Sequence, residues 1–334
     1  MPKLLSVVLP CYNEAQVIGK TFLRLVSALE QISELENMKF QIVFVNDGSK
    51  DSTLSQLHSL ACSMKSERGV VDIISLSRNF GHQLALTAGL KFAKGDAIIS
   101  IDADLQDPPE VIHDLVRLWL KGADVVYAVR KERAGETAFK LWTASLFYKT
   151  LSRFTETDIP KNTGDFRLMS KRVLDIFNAM PERHRFIRGL IPWIGFKQVP
   201  YEYDRDERAA GETKYPLKKM LKLAIDAFTS FSHAPLKIAY YIGLIFAVAS
   251  FLFAGWVVVS HFLLHSTVPG WSSLMVAVLV LGSLNLLVLG IHGEYIGRIY
   301  DQAKGRPIYL VDFEASRLHD YSNFSPNATS SSLK

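Results

Sequence analysis

Short apolar, β-branched runs alternate with stretches of helical periodicity through the first 130 positions of the chain. The runs are Leu4–Leu9, Phe40–Val45, Val70–Leu76, Ala97–Ile101 and Asp124–Val129. Between them Ala15–Ile32, Ser52–Met64, Gln83–Ala93 and Glu110–Leu120 read as helices. Near-continuous apolar strands separated by helices predict an α/β domain whose mostly parallel sheet is covered on both faces. Ligands in such folds lie beyond the carboxyl ends of the strands, so the polar residues after each strand are where chemistry is sought.

The pattern changes after Tyr215. Leu217, Met220, Leu221, Ala224, Ile225 and Phe228 share one helical face, with Lys218, Lys219 and Lys222 largely off it. This predicts an amphipathic helix over 216–233, lying in a membrane interface or packed on the globular domain. Two uncharged runs follow within 234–297: Ile238 to Leu264, 27 residues, and Trp271 to Ile291, 21 residues. As helices they span about 40 and 32 Å, enough for a hydrocarbon core of about 30 Å. The short connection Ser266–Gly270 makes them a two-helix hairpin and carries no Lys or Arg. Lys214, Lys218, Lys219, Lys222 and Lys237 precede the first run, and Arg298, Lys304 and Arg306 follow the second. The positive-inside rule then puts the domain of residues 1–215 and the tail of 298–334 in the cytoplasm. The start of the chain enters a strand without a charged leader, so no signal peptide is expected. The serine-rich tail from Ser316 reads as disordered, and the sequon at Asn327 is idle on the cytoplasmic side.

The formal net charge of +5 narrows the partners. Without a basic stripe studded with aromatic residues, it points to lipid and phosphorylated substrates rather than nucleic acid. Two cysteines, Cys11 and Cys62, exclude a disulfide framework and a cysteine metal site.

The strongest chemical signal is Asp102-Ala103-Asp104-Leu105-Gln106-Asp107-Pro108, directly after an apolar strand. Two carboxylates one residue apart, followed by an amide, can converge on a hard divalent cation whose other ligands are phosphate oxygens. An acidic loop that merely stays solvated is the alternative. After the second strand comes Asn46-Asp47-Gly48-Ser49-Lys50-Asp51-Ser52, which works as a turn and helix cap. Asp47 is also a candidate to bond a nucleobase or ribose. After the first strand, Tyr12 could stack on a base and Glu14 accept from a ribose hydroxyl.

Together, Pro10-Cys11-Tyr12-Asn13-Glu14, Asn46-Asp47-Gly48-Ser49 and the acidic loop resemble glycosyltransferase family 2 with its GT-A fold. Ser77-Arg78-Asn79-Phe80-Gly81-His82, Gly164-Asp165-Phe166-Arg167-Leu168-Met169, Arg208 to Tyr215 and Gly293 to Tyr300 narrow the likeness. They resemble the polyprenyl-phosphate hexose synthases, in particular the bacterial branch typified by bactoprenol glucosyltransferases. The resemblance covers about residues 3 to 312. It implies that Pro10, Tyr12, Glu14, Val45 and Asp47 hold the nucleoside of a nucleotide sugar, UDP-glucose by the likeness to the glucosyl enzymes, with GDP-mannose, UDP-N-acetylglucosamine and UDP-aminoarabinose as the alternatives. It implies that Asp102, Ala103, Asp104 and Gln106 meet the donor pyrophosphate, with Asp102, Asp104 and Gln106 binding Mg²⁺ or Mn²⁺. Arg130 then faces the phosphates, Arg208 and Lys214 close over the donor, and Arg130, Lys140 and Ser145 contact the acceptor phosphate. The resemblance further implies an undecaprenyl or other polyprenyl phosphate as acceptor at the cytoplasmic face of a bacterial inner membrane, and a homo-oligomer such as a tetramer.

A phosphate monoester has a second pKa of about 6 and is already dianionic at neutral pH. A general base is therefore optional, and Asp165, catalytic by resemblance, is free to orient the acceptor or a basic partner. One in-line displacement inverts the anomeric centre and gives a β-linked phosphosugar. A processive polysaccharide synthase on the same fold usually carries Gln-x-x-Arg-Trp, whereas Arg185 to Trp193 lacks it. A non-catalytic nucleotide-sugar sensor would make the metal carboxylates dispensable.

Overall fold

A computed structural model describes residues 2–64, 66–131, 160, 163–183, 185–205 and 270–319, with scattered positions between 236 and 256. Two units result: the described residues up to 205 with 307–319 form the first, and those of 236–306 the second.

In the first unit the predicted strands form as β1 (Leu4–Cys11), β2 (Lys39–Asn46), β3 (Gly69–Leu76), β4 (Ala97–Ser100) and β5 (Val125–Arg130). The helices between them are α1 (Ile18–Leu35), α2 (Thr53–Ser63), α3 (His82–Phe92) and α4 (Ile112–Leu120). Beyond these come β6 (Thr163–Ser170), α5 (Lys171–Ala179), α6 (Ile187–Ile194) and β7 (Gln198–Tyr203), for which the apolar pattern made no prediction. In the second unit α7 runs over Trp271–Ala303, and the chain then returns to the first unit as β8 (Val311–Arg317).

The eight strands form one sheet in the order β7-β5-β6-β4-β1-β2-β3-β8. Parallel pairing joins β4, β1, β2 and β3, and also β5 with β7. β6 enters antiparallel between β4 and β5, so these two predicted strands are not neighbours. β8 closes the other edge antiparallel to β3.

Both faces are covered, as the continuous burial of β1 and β3 requires. Leu5, Val7 and Leu9 of β1 join a core with Ile18, Phe22, Leu25, Leu29 and Ile32, the apolar stripe of α1. On the opposite face α3 lies so close to the sheet that Gly89 has no room for a side chain. A Cβ there would sit 2.3 Å from Val8 Cγ1 and 2.7 Å from Val45 Cγ2. This contact sets the depth of α3, and with it the position of the first residue of that helix, His82.

In the second unit, α7 extends well past Ile291, where the uncharged run stops. It continues through Glu294, Arg298 and Asp301, with Arg298 Nε bonding Glu294 Oε1 at 3.0 Å one turn away. Its stretch Val280–Ala303 is long and apolar enough to cross a membrane. The predicted first span, 238–264, lies largely outside the described residues, and the amphipathic helix of 216–233 wholly so; the described positions between 239 and 256 are helical. Ser316 and Arg317, expected in a disordered tail, belong instead to β8, where an edge ladder holds them.

Gly89→Ala should lower stability by about 1–3 kcal/mol through overpacking against Val8 and Val45. That outweighs the ~1 kcal/mol alanine gains over glycine in a helix, and urea unfolding of the purified variant measures the balance.

Candidate active site

β1 and β2 end together, in the register Pro10↔Val45 and Cys11↔Asn46. The turns that follow are cross-bonded. Asn13 N–H donates to Ser49 Oγ at 3.1 Å, and Lys50 N–H to Asn13 Oδ1 at 2.8 Å. Glu14 N–H donates to Thr53 Oγ1 at 2.9 Å, and Ala15 N–H to Asp51 Oδ2 at 3.2 Å. Asn13 turns the chain with φ 54°, a left-handed conformation that asparagine tolerates. Tyr12 and Glu14 are left half-buried on this rim, whereas Pro10 and Val45 are buried.

Asp47 faces inward. Its carboxylate accepts Phe80 N–H at 2.7 Å, Gly81 N–H at 2.9 Å and Asn79 Nδ2 at 3.0 Å. Burial raises its pKa in spite of these donors. Gly48, at φ 62°, lies against the same turn, where a Cβ would come 2.4 Å from the Arg78 carbonyl carbon. The carboxylate read as a nucleoside contact therefore fastens the turn Ser77–Gly81 that delivers His82.

The centre of the site follows from strand register. Ser100 on β4 pairs with Arg167 on β6, and two residues further along the same antiparallel line Asp102 falls opposite Asp165. Ser100 Oγ also donates to the Asp165 carbonyl. The Asp165 side chain is 2% exposed. Arg188 Nε and Nη2 bind its two oxygens at 2.9 and 2.8 Å. His82 Nε2 lies 3.1 Å from Asp165 Oδ2 and 3.6 Å from Asp102 Oδ1. Gln83 Nε2 donates to Asp165 at 3.2 Å, while Gln83 Oε1 accepts Ile187 N–H at 3.1 Å and so ties the start of α6 to α3.

These neighbours set the charges. Burial alone would raise the Asp165 pKa, but Arg188 and then His82 hold it well below the usual carboxylate range. Burial pulls His82 down, yet Asp102 and Asp165 outweigh it and lift its pKa to about 9. For Asp102 burial acts with Asp107, Asp165 and Asp104, against His82, and pushes the pKa up to about 6. One buried carboxylate is thus neutralised, while the half-buried one beside it carries excess negative charge.

The acidic loop is firmly built. The Ala103 carbonyl accepts Thr21 Oγ1 at 2.7 Å, Leu105 takes φ 61°, and Gln106 N–H donates to Asp104 Oδ1 at 3.2 Å. At its end Asp107 is 1% exposed. Its Oδ1 accepts from Tyr203 Oη and from Arg205 Nε, the latter at 3.2 Å. Arg130 Nε lies 3.4 Å from Tyr203 Oη, so the cation at the end of β5 is fixed to the acidic loop through β7. Among the described residues no three His, Cys, Asp or Glu side chains are grouped to hold an ion.

Of the predicted site residues, Asp102, Asp104, Gln106, Asp165 and Arg130 come to this edge of the sheet, with Tyr12 and Glu14 on the rim. Lys140, Ser145, Arg208 and Lys214 lie outside the described residues. Gln83, Arg188, Tyr203 and Arg205 were not foreseen, Asp107 only as part of the acidic motif, and His82 only as part of another. Its place after Gly81, where a third strand gives way to a helix, was a usable signal; Arg188 offered none.

Residues 6–177 match the family model "Glycosyl transferase family 2". The chain belongs to that family. It is a glycosyltransferase with the GT-A-like α/β arrangement. The chain is 52% identical over 308 residues to the uncharacterised glycosyltransferase YkcC of Bacillus subtilis (strain 168), covering 92% of each chain. It is 43% identical to the prophage bactoprenol glucosyl transferase homolog of Escherichia coli (strain K12), covering 92% of this chain and 98% of that one. To the bactoprenol glucosyl transferase of Shigella phage SfV it is 42% identical, covering 94% and 99%.

Two outcomes test the charge balance of this family 2 site. Arg188→Ala should cost about 3 kcal/mol, the lower end for breaking a buried pair, because it leaves buried Asp165 with His82 and Gln83 alone, and adding Asp165→Asn should recover most of it in chemical unfolding. Because the His82 pKa is raised from 6.5 to about 9, its stabilisation is complete below the lower value and lost as pH rises through the upper one. Thermal unfolding of metal-free protein should therefore show falling stability across that window, and His82→Gln should flatten the fall.

Proposed function

We propose that this glycosyltransferase moves a hexose, glucose from UDP-glucose, onto undecaprenyl or another polyprenyl phosphate at the cytoplasmic face of a bacterial inner membrane. The observation that carries the reading is the facing of the half-buried acidic pair Asp102 and Asp104 with the buried ionised Asp165, flanked by His82 and Arg188. The likeness of nine-tenths of the chain to proteins named bactoprenol glucosyl transferase supports the acceptor and the sugar.

In this reading the donor lies over the ends of β1, β2 and β4. Tyr12 and Glu14 meet the nucleoside from the rim. Asp102, Asp104 and Gln106 hold Mg²⁺ or Mn²⁺, which supplies charge stabilisation for the departing diphosphate. Arg130 faces the phosphates of donor and acceptor, kept in place by Tyr203; Arg208 and Lys214 complete the cationic surround, and Lys140 and Ser145 the acceptor contacts. The acceptor phosphate, with a second pKa of about 6, arrives as a dianion. Its oxygen attacks the anomeric carbon, the bond from that carbon to the diphosphate oxygen breaks, and UDP leaves. A single displacement inverts the centre and yields a β-linked polyprenyl phosphosugar. Asp165 serves to orient: its carboxylate is already committed to Arg188, His82 and Gln83. Such a group is a poor proton acceptor and a good anchor for two cations. The apolar surface of α7 supports a membrane location where the lipid phosphate is met, within a homo-oligomer.

Purified enzyme with undecaprenyl phosphate and Mg²⁺ should convert radiolabelled UDP-glucose, offered beside UDP-N-acetylglucosamine and GDP-mannose, to a lipid-soluble product. Another donor giving that product corrects the sugar, and no product from any donor overturns the reaction. Asp104→Asn should cut transfer by about 100-fold or more, the scale of losing a preorganised electrostatic stabiliser, and should abolish metal-dependent donor binding. Activity within tenfold of the parent removes Asp104 from the site.

A further inference from the structure

β8 follows the second unit in the chain and does more than cover an edge. Leu76 pairs with Val311 and Ser75 with Asp312. Ser75 N–H donates to Ser316 Oγ at 2.9 Å, and His319 N–H to the buried Asp72 carboxylate at 2.7 Å. His58 Nε2 lies 3.1 Å from the Ala315 carbonyl. The bonding continues past the end of β3, where Ser77 N–H donates to the Leu310 carbonyl at 3.0 Å. Ser77 opens the turn whose other end is fastened by Asp47 and which delivers His82. The turn is therefore held twice, from the sheet interior by Asp47 and from the edge by Leu310.

We propose that Leu310–Arg317 is a positioning element for sugar transfer: docked along β3, it holds the Ser77–Gly81 turn so that His82 stays on Asp165. A misplacement of such groups by about 1 Å is enough to cost on the order of 100-fold in rate. The inference rests on the transfer reading only for its activity readout.

The test compares the full chain, Ser316→Ala in the full chain, and a chain ending at Arg306, all in the same detergent. Each is assayed for transfer and for hydrogen exchange at the amides of Ser77–His82. Ser316→Ala leaves the Ser75 N–H without its acceptor and should lower kcat several-fold with donor KM unchanged. The shortened chain should lose at least tenfold in kcat and exchange faster at Ser77–His82. A synthetic peptide of residues 307–319, added as a strand, should restore most of both. Shortened and full chains within twofold of each other would overturn the proposal. So would a loss that the peptide cannot rescue, with exchange at the turn unchanged. If the full chain forms no product, the transfer reading fails by itself. Exchange still decides the inference: unchanged protection after shortening sinks it, and lost protection regained with the peptide upholds it.

Discussion

A carboxylate shut away from water stays ionised only where cations are brought to it, and Asp165 imposes that condition on much of the catalytic unit. Arg188 must arrive with both guanidinium nitrogens aligned, and His82 with a ring nitrogen on the same oxygen. Those requirements fix the starts of α6 and α3, and Gln83 bonds the two starts to each other. The antiparallel entry of β6 is part of the same solution, because it sets Asp165 across from the strand that leads to Asp102.

Two aspartates a few ångströms apart end in opposite states. Asp165, buried among a guanidinium and an imidazole, loses the option of taking a proton. Asp102 is crowded by Asp104, Asp107 and Asp165, holds its proton up to about pH 6, and still lacks a full complement of positive charge. The first environment organises; the second recruits. A bound nucleotide sugar with its divalent ion would supply the missing charge, so donor binding and electrostatic relief at Asp102 are a single event in the proposed reaction.

How much of this was legible before folding depended on how each piece is stabilised. β1 to β5 were readable because strands buried on both faces must be written almost entirely in apolar residues. β6 was not, since Asp165 and Arg167 interrupt its pattern and are admissible inside only because partners elsewhere in the chain neutralise them. β8 escaped for the opposite reason: Asp312, Phe313 and Glu314 lie exposed on an edge, and their composition resembles a tail. The apolar run of α7 marked a helix but not its end, because the polar turn around Glu294 and Arg298 is sustained by its own ion pair. Among site residues, the acidic loop announced itself through spacing. Asp47 was noticed but its partners were not, because backbone amides of a distant turn leave no signature in sequence. Arg188 is one arginine among many until the fold brings it to Asp165.

The bond from Ser75 to Ser316 spans 241 positions of the chain. At ribosomal speeds of about 5–20 residues per second, roughly 10–50 s separate synthesis of the two partners. Throughout that interval the outer edge of β3 presents unpaired amides and carbonyls, the setting in which strands add to the wrong neighbour. Maturation of the sheet is therefore tied to delivery of the second unit. A nascent chain stalled before β8 would carry every residue of the acidic centre and yet remain an open-edged intermediate, a natural client for a chaperone or a protease.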